Sequence, residues 1–170
     1  MVVEAIFARV SRGRAKPIVA WLLRRPPGSW LLRTAHRLLP TRQPIGVLAV
    51  ILDDARRVLL INHVTRYAYP LGLPGGWLDR AERPEDGLRR ELEEELGLQL
   101  LDAHYLLSAS HRNGNGQPYG LTLVYRVEVA PGEPTRTSAE VLDVMWLDAD
   151  EATTRLRAFE ADAVRLAQHV

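Results

Sequence analysis

Three glutamates are spaced so that a single helix would present them together. Residues 84–96 have the apolar periodicity of an amphipathic helix. At about 100° per residue, three acidic side chains of this stretch fall within an arc of roughly 100°; they are Glu91, Glu94 and Glu95. Because carboxylates on one face repel one another, this spacing favours a bound Mg²⁺ or Mn²⁺, the cations that prefer oxygen ligands. A solvated acidic face with Arg89 and Arg90 as partners fits the same pattern.

Two features upstream of this helix favour the metal interpretation. Pro74 is followed by Gly75 and Gly76, which bring backbone without side chains close to the helix. Their carbonyl or amide groups could then reach a metal ion or a phosphate. Glu82 adds a further carboxylate just before the helix starts.

Residues 76–98 also contain a longer pattern. A glycine, five residues, a glutamate and seven residues precede Arg-Glu-U-x-Glu-Glu-x-Gly-U, in which U is aliphatic. The matching residues are Gly76, Glu82, Arg90, Glu91, Leu92, Glu94, Glu95, Gly97 and Leu98. This pattern resembles the complete Nudix box, the signature of the Nudix hydrolases. One departure is Gly87, which stands where that family usually has alanine and costs the helix about 1 kcal/mol.

The resemblance implies a set of roles for the residues of the box. It implies that Mg²⁺ or Mn²⁺ is bound by Glu91, Glu94 and Glu95 with help from the carbonyl of Gly76. Arg90 would pair with the carboxylates and orient them, and Glu82 would be a supporting acid. Gly75 and Gly97 would be supporting backbone positions.

The same resemblance implies a fold and a reaction. The fold is α+β, with a mixed β-sheet between helices, and the reaction is hydrolysis of a nucleoside diphosphate linked to another moiety. Bound cations would neutralise the diphosphate and lower the pKa of the attacking water. Glu140 is the first candidate for the catalytic base and Glu95 the second. The alternative is a Nudix-fold module that binds a nucleotide without cleaving it, and the complete set of carboxylates argues against it.

Four further side chains are candidates for contact with a small nucleotide substrate. Trp77 and Tyr119 could stack on a base, or they could simply shape a loop. Arg66 and Arg112 could contact phosphate, or they could be solvated surface residues. Sequence signatures downstream of the box support neither an ADP-ribose nor a dinucleoside polyphosphate assignment.

Composition excludes several other classes of site. The 170 residues contain no cysteine, which excludes disulfides, thiolate zinc sites and cysteine nucleophiles. The only lysine is Lys16, so a P-loop is excluded. The five histidines have no metal-ligand spacing and are interpreted as ordinary residues. With no apolar run long enough to span a bilayer and no signal-peptide pattern, we expect a cytoplasmic protein.

The predicted elements must bring these residues together. Residues 45–52 and 57–62 are predicted to form a β-hairpin, and 100–111 with 121–129 a second antiparallel pair around a turn at 113–116. Residues 141–147 are predicted to form a short strand, with Trp146 in the core. A helix follows from Asp148, where Asp148 and Glu151 have the spacing of a capping box.

Residues 1–42 form a basic, apolar extension ahead of the predicted domain at 43–170. They contain nine basic residues and one acid, a net charge of +8, which leaves −7 for the remainder. Two apolar-basic stretches, 17–25 and 29–39, are predicted to be helical. Because the segment is so apolar, we expect it to pack on its own domain, on a second subunit in a homodimer, or on an anionic membrane surface. No specific nucleic-acid partner is predicted.

Deletion of residues 1–42 tests this interpretation. Because the segment contains none of the box, we expect turnover to remain measurable in the truncated protein. We also expect aggregation or a changed oligomeric state, measured by light scattering during size-exclusion chromatography. A truncated protein with unchanged solubility and assembly would show that the segment is a free appendage.

Overall fold

The computed structural model describes residues 43–64, 70–112, 118–135 and 138–170. The basic extension at 1–42, the turn predicted at 113–116 and Arg66 lie outside these residues. The side chains of Arg112 and Tyr119 are outside them too. Within the described ranges, no helix has the length and apolar character needed to cross a membrane.

The described chain contains strands on either side of one long helix, followed by two short helices. The strands are β1 (Ile45–Ile51), β2 (Val58–His63), β3 (Leu71–Gly72), β4 (Leu100–Arg112), β5 (Pro118–Val129) and β6 (Val141–Leu147). The helices are α1 (Pro84–Leu96), α2 (Ala149–Arg155) and α3 (Ala158–Ala167). The predicted α+β fold class is confirmed.

The strands form two three-stranded sheets. One sheet is mixed, in the order β1-β5-β4, with β1 parallel to β5 and β4 antiparallel to it. The other is antiparallel, in the order β3-β2-β6. The predicted hairpin of β1 with β2 is therefore wrong: the two strands share only the isolated bridge between Leu52 and Val58. The turn does reverse the chain, but each strand then forms its ladder with a distant partner.

The helices cover the sheets on two sides. Alternate residues of β1 face opposite ways, so Val47 and Ala49 pack with α1 while Leu48 and Val50 pack with α2 and α3. The buried stripe of α1 is fully shielded from solvent and consists of Leu88, Leu92 and Leu96. Each of these leucines contributes about 2–3 kcal/mol of burial free energy. This packing fixes α1 against the sheets. Trp146 is half-buried and packs against the same core.

The ends of the helices agree only in part with the caps predicted from the sequence. Gly97 ends α1 in the left-handed conformation with φ 65°, and its N–H donates to the carbonyl of Glu93, as is typical of such caps. Asp148 occupies the N-cap position of α2, but its side chain forms no capping hydrogen bond. The predicted capping box is therefore wrong, because Glu151 pairs with Arg155 one turn further along the helix.

The segment 74–78 lies along the free edge of β1. Val47 N–H donates to the carbonyl of Gly76 at 2.9 Å, and Ala49 N–H donates to that of Pro74 at 2.9 Å. Between them Gly75 has φ 126°, a conformation that side chains rarely allow. A Cβ atom there would lie 2.3 Å from the carbonyl oxygen of Val47. Only glycine lets this segment approach the strand so closely.

Substitution of this glycine should therefore destabilise the fold. For Gly75→Ala we expect the free energy of unfolding to fall by at least about 1–3 kcal/mol, from backbone strain with the contact to Val47 in addition. Gly132→Ala is the matched control, because a Cβ atom there would have no neighbour within 4 Å. Urea denaturation of both variants measures the difference, and equal midpoints would contradict the argument.

Candidate active site

A cavity of about 700 Å³ opens where the 74–78 segment, α1, β5 and the turn before β6 come together. Its lining consists of Gly46, Leu48, His63, Gly75, Gly76, Trp77, Glu91, Glu95, His111, Thr122, Glu140 and Arg157. Six of these are residues that the sequence proposed for the site: the two glycines, Trp77 and three glutamates. The tertiary structure thus brings together residues separated by more than 60 positions.

Glu95 is the most deeply placed carboxylate of the cavity. The residue is 5% exposed, and its Oε2 accepts a hydrogen bond from the N–H of Gly75 at 2.9 Å. Because α1 is fixed by its leucine stripe, this bond also ties the glycine segment to the helix. The site therefore contains a buried carboxylate with a backbone donor on one oxygen.

Glu91 lies directly against the second glycine. A Cβ atom on Gly76 would be 2.4 Å from Oε1 of Glu91, so the absence of a side chain makes room for this carboxylate. Burial raises the pKa of Glu91, while hydrogen bonding and charge from Arg90 oppose that rise. A cation beside this carboxylate would further stabilise its ionised form.

Arg90 connects α1 to the segment that leads into it. Its guanidinium donates to both oxygens of Glu82 at 2.9 and 3.0 Å, to Oε1 of Glu91 at 2.8 Å and to the carbonyl of Trp77 at 3.1 Å. The hydrogen bonds from Arg90 and from the N–H of Asp79 lower the pKa of Glu82 to about 2. In turn, Glu82 and Glu91 raise the pKa of Arg90 above its ordinary value.

Glu94 has a different environment from its two neighbours on the helix. Its side chain is 60% exposed, lies outside the lining of the cavity and has an oxygen 3.5 Å from Nη1 of Arg90. Among the described residues, no three histidine, aspartate or glutamate side chains are already arranged as a metal site. The donor chemistry nevertheless fits Mg²⁺ or Mn²⁺, since Glu91 and Glu95 line one cavity with Gly76. The carbonyl of Gly76 accepts from Val47 and has a second lone pair.

Glu140 reaches the same cavity from the turn before β6, and a histidine meets it there. Nε2 of His63 lies 3.3 Å from Oε2 of Glu140 and 3.6 Å from Oε1 of Glu95. The sequence interpretation of His63 and His111 as ordinary residues missed their position in the cavity lining. For His63 a signal was present, because it continues the alternation of Leu59 and Ile61 toward the α1 side of β2.

A second group of side chains also lines the cavity. Nε2 of His111 lies 2.6 Å from Oγ1 of Thr122, and burial, with the charge of Arg157, lowers the pKa of His111. Arg157 pairs with the fully buried Glu160 and packs over the ring of Phe159 at 4.9 Å. The sequence analysis proposed none of these residues, since they come from β4, β5 and the start of α3.

Trp77 lies at the edge of the cavity. It is 52% exposed, and its ring passes over Gly46 and Gly120, where Cβ atoms would be 3.4 and 3.8 Å away. The indole therefore rests on bare backbone of the mixed sheet and presents apolar surface to solvent. The other proposed substrate contacts, Tyr119 with Arg66 and Arg112, stay predictions because their side chains are outside the described part of the chain.

Comparisons with known proteins agree with the fold and the box. The NUDIX domain profile matches residues 42–168. A MutT-like protein of Streptomyces ambofaciens is 32% identical over 127 residues, which are 75% of this chain and 77% of that protein. The crystal structure of a MutT NUDIX hydrolase from Burkholderia pseudomallei gives a TM-score of 0.64 at 30% identity, covering 74% of this chain and 98% of that one.

A shorter match concerns a protein named for its substrate. Over 37 residues the chain is 51% identical to the 8-oxo-dGTP diphosphatase of Haemophilus influenzae, which covers 22% of this chain and 27% of that protein. The profile match extends over most of the chain. The chain belongs to the Nudix family and is a Nudix hydrolase, and the predicted family is confirmed.

The ion pair of Glu82 with Arg90 predicts a pH dependence of stability. The folded pKa of Glu82 is about 2 and its ordinary value is 4.5. A carboxyl with a lowered folded pKa stabilises the protein above its unfolded pKa, and that contribution is lost as the pH falls toward the folded pKa. We therefore expect Glu82→Gln to be less stable than the wild type at neutral pH, and the difference to shrink below pH 4.5.

Urea midpoints for the wild type and Glu82→Gln, measured from neutral pH to about pH 3, test this sign. Glu93→Gln, an exposed position on the same helix, is the control and should show no comparable change. A difference between wild type and Glu82→Gln that stays constant over the whole range would contradict the assignment.

Proposed function

We propose that this chain is a metal-dependent pyrophosphohydrolase that cleaves a nucleoside diphosphate linked to another moiety. The observation that carries the proposal is the cavity in which two box glutamates, the Gly75–Gly76 backbone and Glu140 meet. Family membership supports the reaction class. A cytoplasmic location is part of the proposal, since a cysteine-free chain suits a reducing compartment.

The cation would be held by oxygen ligands from α1 and the glycine segment. Glu91, Glu95 and the carbonyl of Gly76 are its ligands in this proposal, and Glu94 joins them from the exposed side of the helix. When bound, Mg²⁺ or Mn²⁺ neutralises the diphosphate and lowers the pKa of the attacking water. Arg90 fixes Glu91 on one side, so this ligand is positioned before the substrate arrives.

The proton of the attacking water would go to a carboxylate oxygen. Glu140 suits this role better than Glu95, because its side chain is 68% exposed and lines the cavity. Glu95 is buried and already accepts from Gly75. A general base must lie within hydrogen-bond reach of the water, and a solvent-accessible carboxylate meets this condition more readily.

The nucleoside would occupy the part of the cavity away from these carboxylates. Trp77 offers a ring face for stacking on a base, and Arg157 and His111 supply polar groups in the same lining. A volume of about 700 Å³ is within the range of cavities that hold ligands of nucleotide size. The name of the Haemophilus influenzae relative makes 8-oxo-dGTP a first compound to assay.

A nucleotide panel with and without metal tests this function. We expect turnover of at least one of 8-oxo-dGTP, dGTP, ATP and ADP-ribose in Mg²⁺ or Mn²⁺, measured by chromatography of the products. Glu95→Gln should remove most of it, and Glu140→Gln should lower kcat by about 10²–10⁴-fold if Glu140 is the base. The matched control is Glu93→Gln, which changes an exposed glutamate of the same helix.

Full activity in excess chelator, or unchanged turnover in Glu95→Gln, would refute the proposed mechanism. Binding of a nucleotide with no product formed would favour the alternative, a module that recognises nucleotides without cleaving them. Glu140→Gln with an undiminished kcat would remove Glu140 from the mechanism and leave Glu95 as the candidate base.

A further inference from the structure

Two carboxylates that enter the cavity from different elements meet at one imidazole. Nε2 of His63 lies 3.3 Å from Glu140 and 3.6 Å from Glu95. The side chain of His63 is only 11% exposed, so its ring is confined between the two acids.

The two carboxylates depend on this histidine to different degrees. Glu95 is buried and is also held by the N–H of Gly75. Glu140 is held mainly through its backbone, since its carbonyl accepts from Val64 and its N–H donates to Ser138 Oγ at 3.1 Å. Within the described residues, the one ion pair of its carboxylate is with His63. This ion pair is therefore the polar interaction that orients the Glu140 carboxylate.

The pairing of β2 with β6 explains why His63 is in reach. Alternation along β2 puts His63 on the same side as Leu59 and Ile61, which is the side of α1 and Glu95. The register with β6 then shifts by one residue, from Asn62 opposite Asp143 to His63 opposite Val141. Such irregularities re-aim side chains at the ends of strands. Here the shift brings the turn that carries Glu140 next to the imidazole.

We propose that His63 is a positioning residue that holds the carboxylate of Glu140 over the cavity, beside Glu95. The inference rests on the proposed function, in which Glu140 accepts a proton from the attacking water. Without the imidazole, an exposed glutamate side chain distributes over several rotamers, and its carboxylate is beside Glu95 for only part of the time. A misplaced acceptor lowers the rate of the chemical step more than it lowers substrate binding.

Kinetics of two His63 variants make the first test. His63→Leu should lower kcat by about 10–100-fold, the usual range for residues that position an active-site group through a hydrogen bond. We expect KM to change by less than about twofold. His63→Gln retains a nitrogen donor at similar reach and should restore most of kcat. His104→Leu is the control, because His104 is an exposed histidine whose contact is with Asp102. A change in KM alone, or no recovery in His63→Gln, would overturn the proposal.

A double-mutant cycle separates positioning from a general loss of structure. If His63 acts through Glu140, adding His63→Leu to Glu140→Gln should lower kcat by no more than about twofold further. If the factors by which the two single variants lower kcat multiply fully in the double variant, the proposal is overturned. Thermal melting of each variant shows whether it is folded under the assay conditions.

An observable independent of turnover completes the test. The protein is labelled with ¹³C-glutamate and kept free of metal. The NMR signal of the Glu140 carboxyl group is assigned from its absence in Glu140→Gln. We expect this signal to change its chemical shift in His63→Leu and not in His104→Leu. If the Glu140 signal shifts in His63→Leu but the wild type hydrolyses no nucleotide, the positioning role stands and the proposed function is rejected. Hydrolysis by the wild type without such a shift would retain the function and reject the positioning role.

Discussion

The guanidinium of Arg90 is the contact on which the geometry of the site depends. It joins the carboxylates of Glu82 and Glu91 and the carbonyl of Trp77 in one set of charge-assisted hydrogen bonds. These groups come from the loop, the helix and the glycine segment. Because Arg90 is itself on α1, and α1 is anchored by its leucine stripe, this side chain joins the loop to the core, together with the bond from Gly75 to Glu95 and the backbone bonds to β1. The cavity wall follows from that attachment.

The same arginine gives its two carboxylate partners different properties. Glu82 accepts two bonds from Arg90 and one from the N–H of Asp79, and its pKa falls to about 2. Glu91 accepts one bond from Arg90, and desolvation by burial raises its pKa. One carboxylate therefore serves as a permanently charged anchor. For the other, Arg90 offsets the cost of burial only in part, so a cation beside it would stabilise its ionised form.

Close approach of bare backbone is the second constraint. Gly75 and Gly76 lie between β1 and α1, and neither has room for a Cβ atom. Gly87 on α1 is part of the same packing, because a Cβ atom there would lie 2.2 Å from Cδ2 of Leu78. Gly87 lowers the intrinsic stability of the helix, but it leaves the space that Leu78 occupies. Stability lost within the helix allows closer contact with the loop that precedes the site.

The sequence by itself determined the features that are local. The position of α1, its left-handed cap at Gly97 and the face shared by Glu91 and Glu95 follow from spacings of a few residues, because helix geometry relates neighbours directly. The tertiary structure decided which distant segments meet: β1 with β5 rather than β2, and His63 and Arg157 in one cavity with α1. These contacts join elements whose sequences show only apolar alternation, and alternation indicates a buried face without identifying its partner. The partner is selected by the free energy of packing the whole core, to which every element contributes at once.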